Sequence, residues 1–472
     1  MDLQLLITGK RNLARQIYRQ LRERILDGRL KSGERLPASR ELAEELAVAR
    51  KTVTNVYDLL MSEGFLEGRV GSGTFVAAGV ARAKSHSRKA SPLVVPKEWY
   101  RLCKLVSQQP QALPFNFELG VPDTSRFPYP LWRSILGSRA QMLSRHAGAY
   151  AEAEGYGPLR EAIAKYTAFT RAVNCTALDV VVTNGAQQAF ALISHVLINP
   201  GSSVAMEWPG YERARWLFES HGARIAEVPV DEEGLIVERL PRNARLVYVT
   251  PSHQFPLGVR MSLSRRLALL EWATKHGAIV IEDDYDSEYR FAARPLDSLQ
   301  SLDRDGVVLY VGTFSKVLFP GVRTGFVISP EPIRSALVAA RQLTDWHGPL
   351  LTQATLARFI HEGHLARYIR KMRRVYAERR QCLFDCLEAE LDGWLKPWPS
   401  SAGLHIAVEI SGVPSADVIA KSASHLGVKL QPFGQRGLAL GYGAIEANEI
   451  KEGIRRLTRA IKNVSQRPIA SF

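Results

Sequence analysis

Val307-Val308-Leu309-Tyr310-Val311-Gly312-Thr313-Phe314-Ser315-Lys316 joins an apolar, β-branched run to a Thr/Ser-rich turn that closes on a lysine. The run reads as a buried strand and the turn as its carboxyl end. Similar runs flank it: Val180-Val181-Val182-Thr183, Ser203-Val204-Ala205-Met206, Leu246-Val247-Tyr248-Val249, Ala278-Ile279-Val280-Ile281 and Gly325-Phe326-Val327-Ile328. Helix-length stretches such as Ser264 to His276 separate several of them. Continuous apolar strands alternating with helices predict an α/β fold around a mostly parallel, buried sheet. Ligands of such folds sit beyond the carboxyl ends of the strands, so the polar residues there are the candidates for chemistry.

A lone lysine is usually a solvated charge. Lys316 instead follows an apolar strand, where burial lowers a lysine pKa toward Schiff-base use. Thr313, Ser315 and Arg323 are placed to hold a phosphate beside it. After the Val180 strand, Asn184-Gly185-Ala186-Gln187-Gln188 opens a helix, and glycine with successive amides at a helix N-terminus suits an anion. After the Ala278 strand comes Glu282-Asp283-Asp284-Tyr285-Asp286. Such acidic residues bind a metal or pair with a protonated ring nitrogen, and no histidine lies beside them in sequence to support the metal. A nearby tyrosine is able to donate to a phenolate oxygen.

Glycine amides, carboxylate, lysine and arginine, in that order, resemble fold-type I pyridoxal-phosphate enzymes of the aspartate aminotransferase group. The resemblance implies a smaller C-terminal α+β subdomain, pyridoxal 5′-phosphate as cofactor, and Lys316 as the catalytic residue that forms the internal aldimine. It gives Asp283 the pyridinium nitrogen, which strengthens the electron sink. It gives Tyr285 the ring oxygen, and Arg323, Thr313, Ser315, Gly185, Ala186 and Gln187 the phosphate. Tyr211, in Trp208-Pro209-Gly210-Tyr211, resembles the residue that stacks on the ring. Thr250-Pro251-Ser252-His253-Gln254-Phe255-Pro256-Leu257-Gly258 stands where aminotransferases carry an Asn-Pro motif, which leaves His253 or Gln254 to replace the asparagine. One position departs from the pattern. Leu438-Ala439-Leu440-Gly441-Tyr442 has Ala439 where an arginine usually clamps a substrate carboxylate, and alanine makes no bidentate contact. Arg436 lies three residues upstream.

The 472 residues carry 62 Lys and Arg against 47 Asp and Glu, a net charge of +15. Residues 1–110 hold 20 of the basic and 11 of the acidic residues, so under a quarter of the chain carries +9. A locally basic segment is a footprint for an anionic polymer. Within it, Leu13, Ile17, Leu21 and Ile25 recur every four positions, and Gly28 ends that helix. Ser39 is expected to cap a second helix with Leu42, Ala43 and Leu46 inward. A third helix starts near Lys51 with Val53, Val56, Tyr57 and Leu60 inward. Phe65 to Val76 reads as two strands around Gly71-Ser72-Gly73.

This is the plan of a winged helix-turn-helix. Arg50, Lys51, Thr52, Thr54 and Asn55 then face a major groove. Arg40 meets phosphate, and Arg69 with Gly71, Ser72 and Gly73 follows the backbone or enters a minor groove. Gly33-Glu34-Arg35-Leu36-Pro37-Ala38-Ser39-Arg40-Glu41-Leu42-Ala43 and Gly71-Ser72-Gly73-Thr74-Phe75-Val76 resemble the GntR-type DNA-binding domain.

Composition divides the chain into a head of residues 1–77, a flexible basic linker of 78–110 and a body of 111–472. A GntR head joined to an aminotransferase-like body resembles the MocR/GabR transcription regulators. The resemblance implies a head-to-tail homodimer that reads an operator in double-stranded DNA and senses a small amine, an amino acid or pyridoxal phosphate. In that family Arg213, two residues after Tyr211, matches a contact to an effector carboxylate. The alternative is a competent aminotransferase with an incidental basic head. The complete helix-turn-helix and Ala439 argue against turnover as the main role.

Met1-Asp2-Leu3-Gln4 lacks a basic segment followed by an apolar one, and no apolar run approaches the roughly 20 residues that span a bilayer. A cytoplasmic protein is expected. Cys103, Cys175, Cys382 and Cys386 suit a reducing compartment, and their spacing suggests no zinc site.

Overall fold

A computed structural model describes residues 3, 5–9, 11–79, 96–106, 113–144, 150–291, 296–412 and 415–465. They fall into two compact units, Met1–Pro96 and Lys97–Phe472. In the first, α1 (Leu13–Leu26) buries Ile17, Leu21 and Ile25. Helix α2 (Ser39–Glu45) adds Leu42 and Ala43, and α3 (Arg50–Ser62) adds Val53, Val56, Tyr57 and Leu60. These are the residues that the four-residue spacing selects. The cap of α2 differs from expectation. Ser39 is already helical, and Ala38 stands at the cap with its amide donating to Glu41 Oε2 at 3.0 Å. The antiparallel pair β1 (Leu66–Arg69) and β2 (Gly73–Val76) closes the unit, Leu66 opposite Val76.

Periodicity begins at Leu13 and does not reveal what precedes it. Leu3 and Leu5 are buried in the same core. The Gln20 amide brackets Leu6, accepting its N–H at 2.9 Å and donating to its carbonyl at 2.7 Å. Gln16, one turn earlier, does the same for Thr8 at 2.9 Å in both directions. Two glutamines at i and i+4 share a helix face, which is why they read an extended segment like rungs.

In the second unit, α4 (Lys97–Val106), β3 (Phe115–Asn116), α5 (Tyr129–Leu143) and α6 (Gly157–Arg171) precede the main sheet. Its strands are β4 (Val180–Thr183), β5 (Ser203–Trp208), β6 (Arg224–Asp231), β7 (Gly234–Leu235), β8 (Ala244–Val249), β9 (Ile279–Asp284), β10 (Val308–Thr313) and β11 (Gly325–Ile328). Helices α7 (Ala186–Leu197), α8 (Glu212–Ser220) and α9 (Leu263–His276) lie between them in sequence. The order across the sheet is β4-β11-β10-β9-β8-β5-β6-β7. Strands β10, β9, β8, β5 and β6 are parallel, while β11 opposes both β10 and β4. The carboxyl ends of β4, β5, β8, β9 and β10 therefore meet at one end of the sheet.

Helices α10 (Ile333–Asp345), α11 (Leu350–His361) and α12 (His364–Leu391) lead to the expected smaller subdomain. There β12 (Leu395–Pro397), β13 (His405–Ile410), β15 (Gln431–Phe433) and β16 (Gly437–Gly441) form an antiparallel sheet in the order β12-β13-β16-β15. Helices α13 (Ala416–His425) and α14 (Ala447–Ser465) accompany it, and β14 (Val428–Lys429) pairs with β3. No helix among the described residues is long and apolar enough to cross a membrane.

The linker expected to reach residue 110 includes α4, which is ordered helix in the second unit. Leu102 is buried and Arg101 pairs with Glu219 of α8 at 2.5 Å. Residues 80–95 and 107–112 of that expectation lie outside the described residues.

Most of the acidic run on β9 is used to hold the sheet. Glu282 accepts the Leu299 and Gln300 amides at 2.8 and 2.9 Å. Asp284 takes the Arg171 guanidinium at 2.7 Å and the Tyr310 hydroxyl at 2.5 Å, and Arg171 also donates to Ser252 and to the Leu296 carbonyl. Removing one partner of a buried pair strands the other charge. Arg171→Met is expected to lower unfolding stability by about 3–5 kcal/mol, measured by urea denaturation. A loss below about 1 kcal/mol, the range of exposed pairs, would contradict this reading.

Candidate functional site

At the carboxyl end of β4, Gly185 caps α7 with φ +81°. A Cβ there would lie 3.1–3.2 Å from the Arg323 guanidinium, so glycine lets that arginine close on the turn. Arg323 donates to the Asn184 carbonyl at 2.8 Å. The Gln188 and Ala189 amides turn back to the Gly185 carbonyl. Those of Ala186 and Gln187 are left unpaired by the helix, as the first amides of any helix are. The Gln187 side chain is turned elsewhere, donating to the Arg213 carbonyl at 3.2 Å. Thr313 Oγ1 accepts the Ser315 amide at 3.2 Å and shapes the turn after β10. Ser315 Oγ is buried with no partner. The amides at the start of α7 and the Arg323 guanidinium meet at this turn, a donor set that suits an anion.

Lys316 follows, half-buried. A Cβ on Gly120 would sit 2.8 Å from its Nζ, so that glycine leaves the space which the amine occupies. Burial lowers the Lys316 pKa below its ordinary value, opposed by Asp286 and Asp283. Asp283, at the end of β9, accepts the Tyr248 hydroxyl on Oδ2 at 2.5 Å, while its buried Oδ1 has no partner. Burial pushes this carboxyl up to about 7. The Tyr211 ring meets Phe255 edge-on at 5.6 Å. Its phenol, pushed up to about 12 by burial, also feels Asp283, Arg213 and Arg323. Arg213 itself is exposed.

His253 is buried with both ring nitrogens engaged. Its Nδ1 lies 3.0 Å from Asp286 Oδ1 and 2.9 Å from Tyr285 Oη, and its Nε2 lies 3.3 Å from Ser400 Oγ. Tyr285 also donates to the His253 carbonyl at 3.0 Å. Gln254 has a different task. Its amide donates to the Pro209 and Phe255 carbonyls at 2.8 and 2.7 Å and braces the loop. The sequence places no histidine beside the acidic run, but the fold brings two, His253 and His405, next to Asp286. They come from distant segments, so no local spacing announces them. Ala439 is buried in β16 between Ala407 and Gln431, and Arg436 is exposed just before that strand. Tyr248, Gly120 and His405 carry no mark in the sequence that sets them apart as site residues. A tyrosine within the apolar run of β8 is the one available signal.

In the head, Arg50, Lys51 and Asn55 of α3 are exposed, and Thr52 and Thr54 are half-buried. Thr54 spends its hydroxyl on the Arg50 carbonyl at 3.1 Å. Arg40 pairs with Glu44 at 3.2 Å, both exposed. Arg69 pairs with Glu67 at 2.6 Å and lies over the Phe75 ring at 4.6 Å. Gly71 and Gly73 at the hairpin tip have φ +74° and +114°. A Cβ on Gly73 would meet Arg35 Nε at 3.0 Å, which places Arg35 against the hairpin as well.

The model of bacterial regulatory proteins of the gntR family matches residues 13–76, and that of aminotransferase class I and II matches 135–455. The second unit is similar to kynurenine aminotransferase of Pyrococcus horikoshii, solved in complex with PMP (30% identity, TM-score 0.70, 80% of this chain and 96% of that one). It is also similar to LysN, the alpha-aminoadipate aminotransferase of Thermus thermophilus, solved with N-(5'-phosphopyridoxyl)-L-leucine (30%, 0.68, 75% and 93%). A winged helix-turn-helix and an aminotransferase-like domain in one chain define a transcriptional regulator that acts on DNA. The whole chain is 36% identical to the probable rhizopine catabolism regulatory protein MocR of Rhizobium meliloti, over 94% of this chain and 93% of that one. It is 30% identical to the pyridoxine biosynthesis transcriptional regulator PdxR of Corynebacterium glutamicum, over 94% and 95%. It belongs to the MocR family.

His405 supplies a pH test of this packing. Burial pulls its pKa down to about 4, and its Nε2 lies 2.9 Å from the Pro256 carbonyl. As pH falls below the ordinary value of about 6.5, the unfolded chain takes up the proton first. The fold therefore loses stability as pH drops from about 6.5 toward 4. His405→Gln retains a donor, and its stability should fall by about 2 kcal/mol less than the wild type's between pH 7 and pH 5, read by urea unfolding at each pH. Equal losses in the two proteins would refute the assignment.

Proposed function

We propose that the body binds pyridoxal 5′-phosphate and uses it to sense a small amine, an amino acid or the cofactor itself, in a cytoplasmic homodimer whose paired heads hold an operator. The observation that carries this reading is that the open valences at the sheet end are complementary to that one molecule. Asp283 Oδ1 needs a donor, which a protonated ring nitrogen provides. Ser315 Oγ, Arg323 and the Ala186 and Gln187 amides need an anion, which the phosphate provides. Lys316 is an amine whose burial favours the neutral, nucleophilic form. When bound, pyridoxal 5′-phosphate supplies a carbonyl that exchanges between primary amines.

Tyr211 covers the ring space, Tyr285 meets the ring oxygen by turning its hydroxyl from the His253 carbonyl, and Arg213 is left for an effector carboxylate. Because Ala439 cannot clamp a second carboxylate, sensing fits this site better than turnover of ordinary α-amino acids. In the head, Arg50, Lys51, Thr52, Thr54 and Asn55 reach base edges and phosphates of the major groove, while Arg40 touches phosphate and Arg69 with the Gly71-Ser72-Gly73 tip follows the backbone or enters a minor groove. The chain between the two units conveys the change, and its body end is α4 rather than residue 110.

Full-length protein mixed with pyridoxal 5′-phosphate should develop the absorbance band of a lysine imine. Lys316→Ala should lose that band and the response to amines while keeping DNA affinity in mobility shifts. Retention of the band would overturn the role of Lys316. Arg50→Ala with Lys51→Ala should weaken DNA binding and reduce the slope of log affinity against log salt by about 2, at roughly 0.9 for each phosphate no longer neutralised. An unchanged slope would move the interface elsewhere. Turnover of common amino donors at ordinary enzyme rates, with no sequence-specific DNA binding, would favour the aminotransferase.

A further inference from the structure

We infer that Tyr248 is a positioning residue that favours the ionised form of Asp283 and leaves its other oxygen free for the ligand. The inference rests on the cofactor reading only for the identity of that ligand. Tyr248 lies on β8 beside β9, and its ring is wedged between Phe190 at 5.5 Å and Phe218 at 6.0 Å, both steeply inclined to it. All three rings are buried. The packing directs the hydroxyl to Asp283 Oδ2 at 2.5 Å. Since Oδ2 is taken, Oδ1 remains as the acceptor without a bond.

The surroundings otherwise oppose an anion. Asp284 and Asp286 around the end of β9 add negative charge near Asp283, and burial acts in the same direction; Glu207 on β5, its own carboxyl pushed up to about 7 by burial, also lies in its field. Tyr211 and Tyr285 also face it, as neutral phenols raised above their ordinary range by burial. Lys316 is the cation that offsets them, and its own protonated form is disfavoured by burial. The Tyr248 hydroxyl is the group that favours the carboxylate through a direct bond. A phenol donates to a carboxylate but cannot donate equally well to a protonated acid, whose oxygens are poorer acceptors. Tyr248 therefore selects the state that pairs with a cationic ring nitrogen.

Tyr248→Phe removes one oxygen and leaves the ring stack. The ionisation of Asp283 is read in the full-length protein without added ligand, from the carboxyl stretch in infrared spectra, assigned by its loss in Asp283→Asn. The midpoint of that band against pH should rise by about one to two units in Tyr248→Phe, the size expected for a hydrogen bond to a charged group. An unshifted midpoint overturns the proposal. In a second arm, pyridoxal 5′-phosphate is titrated into both proteins from pH 6 to pH 9. Affinity in Tyr248→Phe should be about tenfold weaker near pH 7, where a midpoint raised by one to two units lowers the ionised fraction of Asp283 by about that factor, and should approach the wild type's at pH 9. A loss of equal size at every pH indicates mere packing and also overturns the proposal. Failure of the wild type to bind the compound refutes the cofactor reading alone, because the infrared arm decides the role of Tyr248 by itself.

Discussion

A carboxylate removed from water must find donors or give up its charge, and Asp283 is placed where the sheet satisfies half of that need. One oxygen is held by Tyr248; the other is buried without a partner. Much of the body follows from this. The parallel strands bring the turns after β4 and β10 to the same end of the sheet, so Arg323 with the first amides of α7, and the Lys316 amine, stand at the end where this carboxylate lies. The neighbouring acids are each spent elsewhere: Glu282 on two amides, Asp284 on Arg171 and Tyr310, and Asp286 on His253. What this run leaves open is the oxygen at the site.

The strands and the turns at their ends are legible in the sequence because their signals are local. A β-branched run followed by Thr-Phe-Ser-Lys carries its own burial pattern, and the spacing in α1 and α3 names the residues that pack. What depends on the fold is not legible. His405 approaches Asp286 from a remote strand of the smaller subdomain, and Gly120 makes room for Lys316 from a segment that precedes the main sheet altogether. Ser39 has the chemistry of a cap, but the helix begins one residue earlier and a glutamate takes the amide. The linker reads as too long because Lys97–Val106 has an unremarkable composition and is ordered by α8 beneath it.

The two units differ in how they carry charge. In the head Arg40 and Arg69 are exposed and their pairs with Glu44 and Glu67 are surface pairs, weak enough to exchange for phosphate. In the body Arg171 and Arg379 are buried, with Asp284 and Asp123 as counter-charges. One set suits recognition of a polyanion, the other a rigid frame. Helix α4 opens the second unit and docks on α8, the helix that begins beside Tyr211.

The unpaired Asp283 Oδ1 and Ser315 Oγ also bear on how much folded protein a cell holds. A buried polar atom gains stability from each partner it acquires. Any molecule that completes those bonds binds the folded chain and not the unfolded one, so it shifts the folding equilibrium toward the native state by mass action. On the proposed reading, abundance of the regulator would follow the supply of that molecule, through folding and degradation, before a single promoter is touched.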